Sequence, residues 1–459
     1  MVTSSSALLQ WEEEIQKWTT FSCQVIGSKS HGTYSTPERI AALGGQADIF
    51  VCPYSMFSPH KRDAIDYGGK KVSNVPKYIQ EKALWECMTR STVLVFDEVT
   101  RLRGTSSLRG MMAYRVAKRV LRVWGLSATL VTNTGYDVYG VYKIIYAELF
   151  GTKKSFSERY VVEKVLDKDS PWIKKIIGYR NVGELKEKLY PFYLSRRKAH
   201  VAPDLPSVIS TDTRLSLTPE QQRWYNAVLD GTLLKEILKK KGVDECDANF
   251  SEIQVLGLCR QIANNPVLVG GPDTSAKERQ LFDMLAHEFL DTKIILFTFY
   301  EKWVRVIDAK LQKRGIGTAV VSGPMDADKR EKAKRRFRES KSCQVMLMTE
   351  AGSEAINLQF CDTILFLDLP LMPGTYYQTI GRVHRIGSQS DHVFLNHLLC
   401  LGTVDEKIRR DLAAKMKVAD AIADMNVGDL MSKKINATDL FEEEFGMPFD
   451  RYIQKLRGR

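Results

Sequence analysis

The stretch VLVFDEVTRLRG, residues 93–104, decides the fold class. It begins with four apolar residues, which is typical of a strand buried in a parallel sheet. Two acids, Asp97 and Glu98, follow at once. Ligands of open α/β sheets bind at the carboxyl ends of the strands, and adjacent acids there suit magnesium, because one can hold the ion while the next orients or deprotonates a water. An acidic turn after a strand is the alternative.

Short apolar runs of this kind alternate with amphipathic, charged segments along the chain, a pattern that indicates parallel strands joined by helices. The predicted strands lie in ADIFVCPYSMF (47–57), STVLVFDEV (91–99), TKIILFTFY (292–300), GTAVVSG (317–323), CQVMLMT (343–349) and DTILFLDLP (362–370). The predicted helices include ALLQWEEEIQKW (7–18), SSLRGMMAYRVAKRV (106–120) and DKREKAKRRFRES (328–340).

This alternation occurs in two blocks, roughly 1–135 and 275–400, separated by a basic stretch that we expect to be mostly helical. The 459 residues are too many for one compact core. We therefore predict an α/β protein of two lobes with parallel sheets flanked by helices, plus helical insertions. The predicted domains are a first lobe at 1–205, a second lobe with a helical lead-in at 206–425, and a C-terminal helical brace at 426–459.

Composition limits the partners. The net charge of +12 suits an anionic partner such as nucleic acid. The eight cysteines form no C-x-x-C pair, which argues against a zinc ribbon or a disulfide framework and for a reducing compartment. With no apolar run of about eighteen residues and no signal-peptide pattern, we expect a soluble, intracellular protein without a membrane partner, in a bacterial or viral-host cytoplasm or in a eukaryotic nucleus.

Ser127 and Thr129 follow another apolar strand, in RVWGLSATLVTN (122–133). Hydroxyls at this place can sense the carboxylates and pass a signal between lobes. A plain turn stabilised by a serine or threonine hydroxyl is the alternative.

Three candidates follow the CQVMLMT strand. Gly352 permits close backbone approach to a phosphate or to the other lobe, and Thr349 and Asn357 can bond a nucleic-acid backbone. An ordinary helix entry explains the same residues.

The segment QTIGRVHRIGSQ, residues 378–389, carries Arg382 and Arg385. Arginines presented from one lobe to a phosphate on another stabilise the charge that develops in phosphoryl transfer. A solvated basic start of a helix is the alternative, and the dense pattern of glycine, glutamine, histidine and arginine disfavours it.

Taken in order, these segments resemble the successive motifs of Swi/Snf-type ATPases, which belong to superfamily two of helicase-like proteins. The resemblance runs from about residue 5 to residue 410. The segments SRRKAHVAPDLP (195–206) and IGRVHRIG (380–387) are specific to this branch. The resemblance implies two RecA-like lobes that clamp a DNA duplex and translocate along it, using ATP and Mg²⁺.

The resemblance also implies roles in ATP chemistry. Asp97 would hold magnesium, and Glu98 would be the base that polarises the attacking water. Arg382 and Arg385 would be the arginine fingers, with Gln378 as an organiser near the nucleotide.

The remaining implied roles concern coupling, nucleotide and DNA. Ser127 and Thr129 would couple hydrolysis to motion. Gly352 would lie against the nucleotide, and Thr349 and Asn357 would contact DNA phosphates.

Two departures from the family pattern affect these roles. The family's D-E-A-H or D-E-G-H reads D-E-V-T here, with Val99 and Thr100, so the coupling side chain is altered while both acids are kept. LPLMPGTYY (369–377) replaces the usual tryptophan-asparagine-proline, which puts the DNA path in doubt more than the ATP chemistry.

The largest departure concerns the phosphate-binding loop, which cradles phosphates with backbone N–H groups and ends in Gly-Lys-Ser/Thr before a helix. The only Gly-Lys pair here is Gly69–Lys70, which Lys71 and Val72 follow. The chain opens inside what resembles the motif after the P-loop helix. We therefore expect a first lobe that is incomplete at its N-terminus. We place the absent P-loop strand beside the strand of Asp97, where its loss would open two strand edges and an apolar surface.

Several readings stay open. The P-loop segment can come from a second polypeptide, making a split ATPase, or from upstream sequence, and in either case this chain is inactive alone. The chain can instead be a DNA-binding or scaffolding remnant without nucleotide chemistry, or part of a repair-type helicase that unwinds branched DNA. The expected partners are double-stranded or branched DNA and a polypeptide carrying the P-loop.

Overall fold

The computed structural model divides the chain into two compact units, residues 1–195 with 418–432 and residues 196–417 with 433–459. It describes residues 1–58, 64–66, 76–128, 130, 135–165, 174–196, 202, 204–241, 250–323, 325, 327–350, 357–385, 387–423 and 437–456. Within these ranges, no helix has both the length and the apolar composition that crossing a membrane requires.

The first unit is built on a five-stranded sheet. Its strands are β1 (Val2–Thr3), β2 (Cys23–Val25), β3 (Ile49–Pro53), β4 (Val93–Asp97) and β5 (Arg122–Leu126). Its helices are α1 (Leu8–Trp18), α2 (Thr36–Leu43), α3 (Ile79–Cys87), α4 (Leu108–Ala117), α5 (Tyr136–Ile145), α6 (Lys153–Tyr160) and α7 (Val182–Leu189). A separate antiparallel pair consists of β6 (Val161–Val165) and β7 (Lys174–Tyr179).

All pairs in the five-stranded sheet are parallel, in the order β2-β3-β1-β4-β5. Strand β4, which carries Asp97, is thus paired on both sides, with β1 and with β5. The expectation of a gap beside the Asp97 strand is therefore wrong, because β1 and β5 occupy both places. In the described part of the chain β5 pairs with β4 alone, so β5 is the open edge on that side.

The two faces of this sheet are covered differently. Leu94 and Phe96 of β4 point to one face, where they join a core with residues of α4 and α5 such as Met112 and Val141. Successive strand residues point to opposite faces, so Asp97 lies on the other one. Helix α1 covers that second face over β2 and β3, where its Leu8 and Ile15 pack against Val25 and Val51.

The second unit is built on a six-stranded sheet, also parallel throughout, in the order β10-β11-β9-β12-β13-β8. Its strands are β8 (Ser207–Leu215), β9 (Ile294–Phe297), β10 (Gly317–Val321), β11 (Cys343–Met348), β12 (Thr363–Phe366) and β13 (His392–Cys400). All residues of β9 and β12 are buried. Continuous apolar strands occur where helices cover both faces of a parallel sheet.

The helices of the second unit follow the first-unit helices in chain order. They are α8 (Pro219–Leu229), α9 (Thr232–Lys241), α10 (Glu252–Asn264), α11 (Ala276–Ala286), α12 (Glu301–Lys313), α13 (Ala327–Glu339), α14 (Pro373–Ile380), α15 (Val404–Ala423), α16 (Ala437–Phe445) and α17 (Phe449–Leu456). Helices α8 and α10 begin at capping boxes, Thr218 with Gln221 and Ser251 with Gln254, so their first turns are fixed by local sequence.

The predicted fold class is confirmed: both units are parallel-sheet α/β folds, and all six predicted strands are present. The middle stretch consists mainly of helices, α5 to α10, as expected, although the strands β6, β7 and β8 also lie in it. The predicted domain bounds stay predictions; residues 433–459 group with the second unit. There, Phe441 of α16 and Tyr452 of α17 join the core that contains Tyr225.

A buried ion pair ties the second unit together. Lys277 on α11 is fully buried, and its ammonium lies 2.7 Å from Asp405 Oδ2. The ammonium also donates to Asn264 Oδ1 (3.0 Å) and to the carbonyl of Leu367 (2.7 Å). Burial alone would lower the pKa of Lys277, but nearby acidic groups, with Asp405 foremost, raise it on balance. Lys277 therefore keeps its charge inside the core.

Lys277→Met should destabilise the second unit by about 3–5 kcal/mol, because it leaves the Asp405 carboxylate buried without its cation. Urea unfolding measures the loss. Arg305→Met is the matched control: Arg305 is 77% exposed and pairs with Glu301 at the surface, so its removal should cost under about 1 kcal/mol. Equal losses in the two variants would contradict the assignment.

Candidate functional site

The carboxylate of Asp97 is held in place at the carboxyl end of β4. Its Oδ2 accepts hydrogen bonds from Thr3 Oγ1 at 2.7 Å and from Trp11 Nε1 at 2.9 Å. Thr3 is the last residue of the neighbouring strand β1, and Trp11 lies on helix α1. Two different elements on the second face of the sheet therefore donate to the same carboxylate oxygen. Within the described residues no hydrogen bond to Asp97 Oδ1 is formed, so that oxygen is available to a ligand.

Glu98 has an unusual backbone conformation. Its φ of 52° and ψ of 52° lie in the left-handed region, which costs a residue with a side chain roughly 1–2 kcal/mol. Glu98 stands between Phe96 of β4 and a 3₁₀ turn at Val99–Leu102 whose Val99 is buried, and these buried flanks fix the strained residue between them. Strain of this kind concentrates at functional sites.

Tyr54 contacts the backbone of both acids. Its hydroxyl donates to the carbonyl of Asp97 at 2.6 Å and reaches that of Glu98 at 3.3 Å. The guanidinium groups of Arg101 and Arg109 lie 5.9 and 5.7 Å from the centre of its ring. Burial, and then the charge of Asp97, raise the pKa of Tyr54 far above its usual range, so the hydroxyl remains a donor.

Sequence reasoning singled out Asp97 and Glu98 but missed Thr3, Trp11 and Tyr54. Trp11 and Tyr54 lie in segments that carry the family resemblance, so their position in those motifs was a usable signal. Thr3 gave none, because nothing in the sequence indicates that residues 2 and 3 form the central strand.

The D-E-V-T departure has a packing role. Val99 and Thr100 are both buried. Gly125 on β5 faces Val99, and a Cβ at Gly125 would come within 2.9 Å of Val99 Cγ1 and 2.7 Å of Ile145. The bulk of Val99 therefore depends on a glycine in the adjacent strand.

The coupling candidates lie just beyond β5. Ser127 is exposed and follows the last residue of that strand, beside the strand of Asp97. Thr129 lies outside the described residues. The proposed coupling role of the pair stays a prediction.

In the second unit, helix α14 runs into residues 378–389, which carry Arg382 and Arg385 and are called the arginine segment below. Arg385 is half-buried, its Nε donates to the carbonyl of Gly381 at 2.6 Å, and its Nη1 donates to Asn357 Oδ1 at 2.9 Å. Burial lowers the pKa of the Arg385 guanidinium. The carbonyl of Arg382 accepts from the backbone N–H of Leu358 at 3.0 Å. The structure thus brings Arg382, Arg385 and Asn357 together.

The other predicted residues of this unit are placed less directly. Gln378 is half-buried on α14. Thr349 is 5% exposed and accepts a hydrogen bond from the N–H of Gly323, so a DNA contact at its hydroxyl would require that bond to be given up. Gly352 lies outside the described residues. The DNA and nucleotide roles of these residues stay predictions.

Asp368 organises the carboxyl ends of β9 and β12. Its carboxylate accepts from Thr298 Oγ1 (2.6 Å), the N–H of Phe299 (2.9 Å) and Asn264 Nδ2 (2.8 Å). Arg260 approaches it at 3.5 Å and donates to the carbonyl of Leu369. Asn264 and Arg260 belong to LCRQIANNP (258–266), so this motif has a structural role in holding α10 against the sheet.

Sequence profiles of two families match the chain. The profile of the helicase conserved C-terminal domain matches residues 276–387, and that of the SNF2-related domain matches residues 1–268, more than half of the chain. The chain belongs to the SNF2-related family. The resemblance to Swi/Snf-type ATPases of helicase superfamily two is thereby confirmed.

The relatives of this SNF2 chain include three curated proteins. The mouse Chromodomain-helicase-DNA-binding protein 1-like is 25% identical over 349 residues, covering 72% of this chain and 36% of that protein. The ISWI chromatin-remodeling complex ATPase ISW2 of Saccharomyces cerevisiae is 21% identical over 457 residues, covering 96% of this chain and 37% of that protein. An uncharacterized ATP-dependent helicase of Mycoplasma pneumoniae is 24% identical over 339 residues, covering 71% of this chain and 31% of that protein.

The SNF2 chain spans about a third of the length of these relatives. A solved structure, described as the Sulfolobus solfataricus SWI2/SNF2 ATPase core in complex with dsDNA, aligns over 99% of this chain and 85% of its own. Its sequence identity is 20% and its TM-score 0.38.

SNF2 ATPases use a nucleotide, typically with Mg²⁺, and the acidic pair fits the metal. The described residues contain no cluster of three or more ligating His, Cys, Asp or Glu side chains. Mg²⁺ needs no such cluster, because it is usually held by one or two carboxylates together with waters and substrate phosphates. Asp97 Oδ1, whose partner oxygen is fixed by Thr3 and Trp11, is a suitable ligand.

Glu98→Gly should stabilise the first unit by about 1 kcal/mol relative to Glu98→Ala, because glycine adopts the left-handed conformation without steric cost. Thermal unfolding of the two variants measures the difference. The same comparison at Glu13 on the exposed side of α1 should have the opposite sign, since glycine inside a helix is less stable than alanine. A Glu98→Gly variant no more stable than Glu98→Ala would contradict the strained conformation.

Proposed function

We propose that this SNF2 chain is the larger part of an ATP-dependent double-stranded DNA translocase or remodeller, active when a P-loop segment completes its first unit. The observation that carries the proposal is the acidic pair at the end of β4. Asp97 is fixed by two hydrogen bonds with one oxygen left for a metal, and Glu98 follows in a strained conformation. Backbone strain of this kind clusters at active sites and ligand-binding residues.

The proposed chemistry is hydrolysis of ATP. Bound Mg²⁺ would neutralise charge on the phosphate oxygens. Asp97 Oδ1 would hold that ion, and Glu98 would orient the attacking water and accept its proton. Arg382 and Arg385 would stabilise the charge on the transferred phosphoryl group, with Gln378 nearby.

For the nucleic acid, the net charge of +12 supports a polyanionic partner. The printed names of the relatives include DNA-binding and chromatin-remodeling proteins. Asn357 is the better supported of the two predicted DNA contacts, since it is exposed whereas Thr349 is buried. Its amide oxygen already accepts from Arg385, leaving its amide N–H groups to donate to a phosphate.

Two features of the first unit support a docking place for the completing segment. Val93, Val95 and Asp97 of β4 lie in register with Arg122, Trp124 and Leu126 of β5, on the face where the apolar side chains of α1 pack over β2 and β3 and its Trp11 reaches Asp97. Val93 is 40% exposed, Trp124 55% and Leu126 39%. Parallel sheets normally have both faces covered. Among the described residues β5 has no second strand partner and the apolar side chains beside it are exposed, and both features support an additional strand and helix.

The handedness of crossover connections supports the same arrangement. Helix α1 connects β1 to β2, a step away from β5, and lies on the second face. A strand added beyond β5 and returning to β1 crosses the sheet in the same direction, so a right-handed connection puts its helix on that same face. The loop between them would then lie at the carboxyl ends of β4 and β5, over Asp97 and Glu98. A phosphate-binding loop has its function at that position.

Hydrolysis should appear when the P-loop segment is supplied, from the coding sequence upstream or from a co-purifying polypeptide, and DNA should stimulate it. In that assembly Glu98→Gln should lower kcat by about 10²–10⁴-fold, because it removes the base. Arg385→Ala should lower kcat by about 10³-fold or more. Arg305→Ala, on the exposed side of α12, should leave turnover unchanged. Wild-type turnover in Glu98→Gln would refute the assigned role.

Docking of the segment should depend on Trp124. With the segment supplied as a separate polypeptide, Trp124→Lys should weaken its binding at least about tenfold, because a large apolar contact is replaced by a charge. Trp18→Lys is the matched control, since Trp18 is 72% exposed at the end of α1. Quantitative pull-down measures both. Equal binding of the segment by the two variants would contradict docking at the β5 edge.

A second candidate is binding of duplex DNA or a partner protein without nucleotide chemistry. The observation in its favour is that Gly69–Lys70 is the only Gly-Lys pair in the sequence and that no Ser or Thr follows it. DNA binding that persists while no P-loop segment restores ATP binding or hydrolysis would favour this candidate over the first.

A further inference from the structure

Helix α14 ends at Ile380, and the two arginines follow in hydrogen-bonded turns. Gly381 N–H donates to the carbonyl of Tyr377, Arg382 N–H to Thr379, and both Val383 and His384 N–H to Ile380. These i→i−3 and i→i−4 bonds attach residues 381–384 to the last turn of the helix. The orientation of α14 therefore sets where Arg382 and Arg385 stand.

One hydrogen-bonded chain of side chains connects α14 to the edge of the sheet. The hydroxyl of Tyr376 on α14 lies 3.0 Å from His397 Nε2 on β13. His397 Nδ1 lies 2.7 Å from Asp212 Oδ1 on β8, the residue directly opposite it in the strand register. Asp212 in turn accepts from Arg409 Nε on α15, with both oxygens at 3.0 Å.

The direction of each bond in this chain follows from charge. The hydrogen bond from His397 and the guanidinium of Arg409 lower the pKa of Asp212 to about 2, so its carboxylate only accepts. The proton of neutral His397 must therefore be on Nδ1, which leaves Nε2 to accept from the Tyr376 hydroxyl. His397 is fully buried, and burial, the largest cause, lowers its pKa and keeps the ring neutral.

We propose that His397 is a positioning residue for the arginine segment. By accepting from Tyr376 and donating to Asp212, it fixes α14 to the β13–β8 edge and so sets the place of Arg382 and Arg385. His384 lies between the two arginines, and its Nε2 contacts the carbonyl of Pro206, just before β8. This contact attaches the arginine segment to the same edge of the sheet. The consequence for ATP hydrolysis rests on the proposed function, whereas the positioning itself does not.

The apolar packing around α14 does not replace these hydrogen bonds. Ile380 and Val383 contribute apolar contacts to the core, and the Tyr376 ring lies 5.3 Å from that of Phe366. Apolar contacts tolerate small rotations of a helix, whereas a hydrogen bond to a fixed imidazole specifies one orientation. Leaving His397 Nε2 buried without a donor carries the desolvation penalty of an unsatisfied buried acceptor.

Hydrogen exchange of the full chain, followed by mass spectrometry, tests the positioning without any nucleotide. Tyr376→Phe keeps the ring and removes only the hydroxyl, so peptides covering 376–385 should exchange at least about tenfold faster. Protection of α12 should not change. Tyr452→Phe is the matched control, because this buried hydroxyl of the same unit donates to the carbonyl of Val228, far from α14 in the chain. It should leave 376–385 as in the wild type.

Substitution of the histidine itself distinguishes positioning from bulk. His397→Leu should accelerate exchange in 376–385 as Tyr376→Phe does. His397→Gln, whose side-chain oxygen can accept from Tyr376, should restore most of the protection. Unchanged exchange in Tyr376→Phe, or faster exchange spread evenly over the second unit, would overturn the proposal.

The same variants then separate this inference from the proposed function. In the completed ATPase, Tyr376→Phe should lower kcat while KM stays constant, because nucleotide binding is intact and the arginines are misplaced. Faster exchange with normal kcat would overturn the link to the arginines. Faster exchange in a protein that never hydrolyses ATP would count against the ATPase alone and leave the positioning intact.

Discussion

The hydrogen bonds from Thr3 and Trp11 to a single oxygen of Asp97 hold the first unit's candidate site together. They join the central strand, the helix that follows it and the acid-bearing strand, although Thr3 and Asp97 are 94 residues apart in the chain. With Oδ2 saturated, the carboxylate cannot rotate freely, so Oδ1 points in one direction. A preorganised ligand costs less entropy when a cation binds than a mobile one does. The strain at Glu98 and the support from Tyr54 belong to the same rigid end of the sheet.

The second unit uses buried polar groups in the same way. Asp368 gathers the ends of β9 and β12, and the pair of Lys277 and Asp405 links two helices through the core. The chain from Arg409 to Tyr376 specifies the orientation of α14. Each of these interactions is directional, which apolar packing is not. Specificity of geometry, more than added stability, is what such buried groups are suited to provide.

Much of this architecture could be predicted from the sequence. The buried strands are short apolar runs bounded by turn residues, so β3, β4 and β9–β12 were found, as were Asp97, Glu98 and the arginine segment. Strand β8 was missed because SVISTDTRL is largely polar and exposed, which is typical of an edge. Strand β1 has two residues, too few for any periodicity. Its place between β3 and β4 depends on pairing partners 50 residues or more away in sequence, and this misled the expectation about the gap beside β4.

The hydrogen bonds that fix the candidate residues were not predictable for a related reason. His397 and Asp212 meet because two strands whose paired residues are 185 apart in the chain have one register, and Tyr376 reaches them from helix α14. Local pattern carries no information on such registers. The left-handed conformation of Glu98 was equally hidden, since glutamate has no preference for it and only the fixed flanks impose it.

The shortness of β1 has a mechanical consequence. Within the described sheet, the strand pairing between its two halves, β2 with β3 and β4 with β5, passes through the two residues of β1, with two residues in register on one side and one on the other. A force applied at residue 1 would load this short strand first. The Thr3 contact to Asp97 lies in the same place, so mechanical strain at β1 would be transmitted directly to the carboxylate of the candidate site.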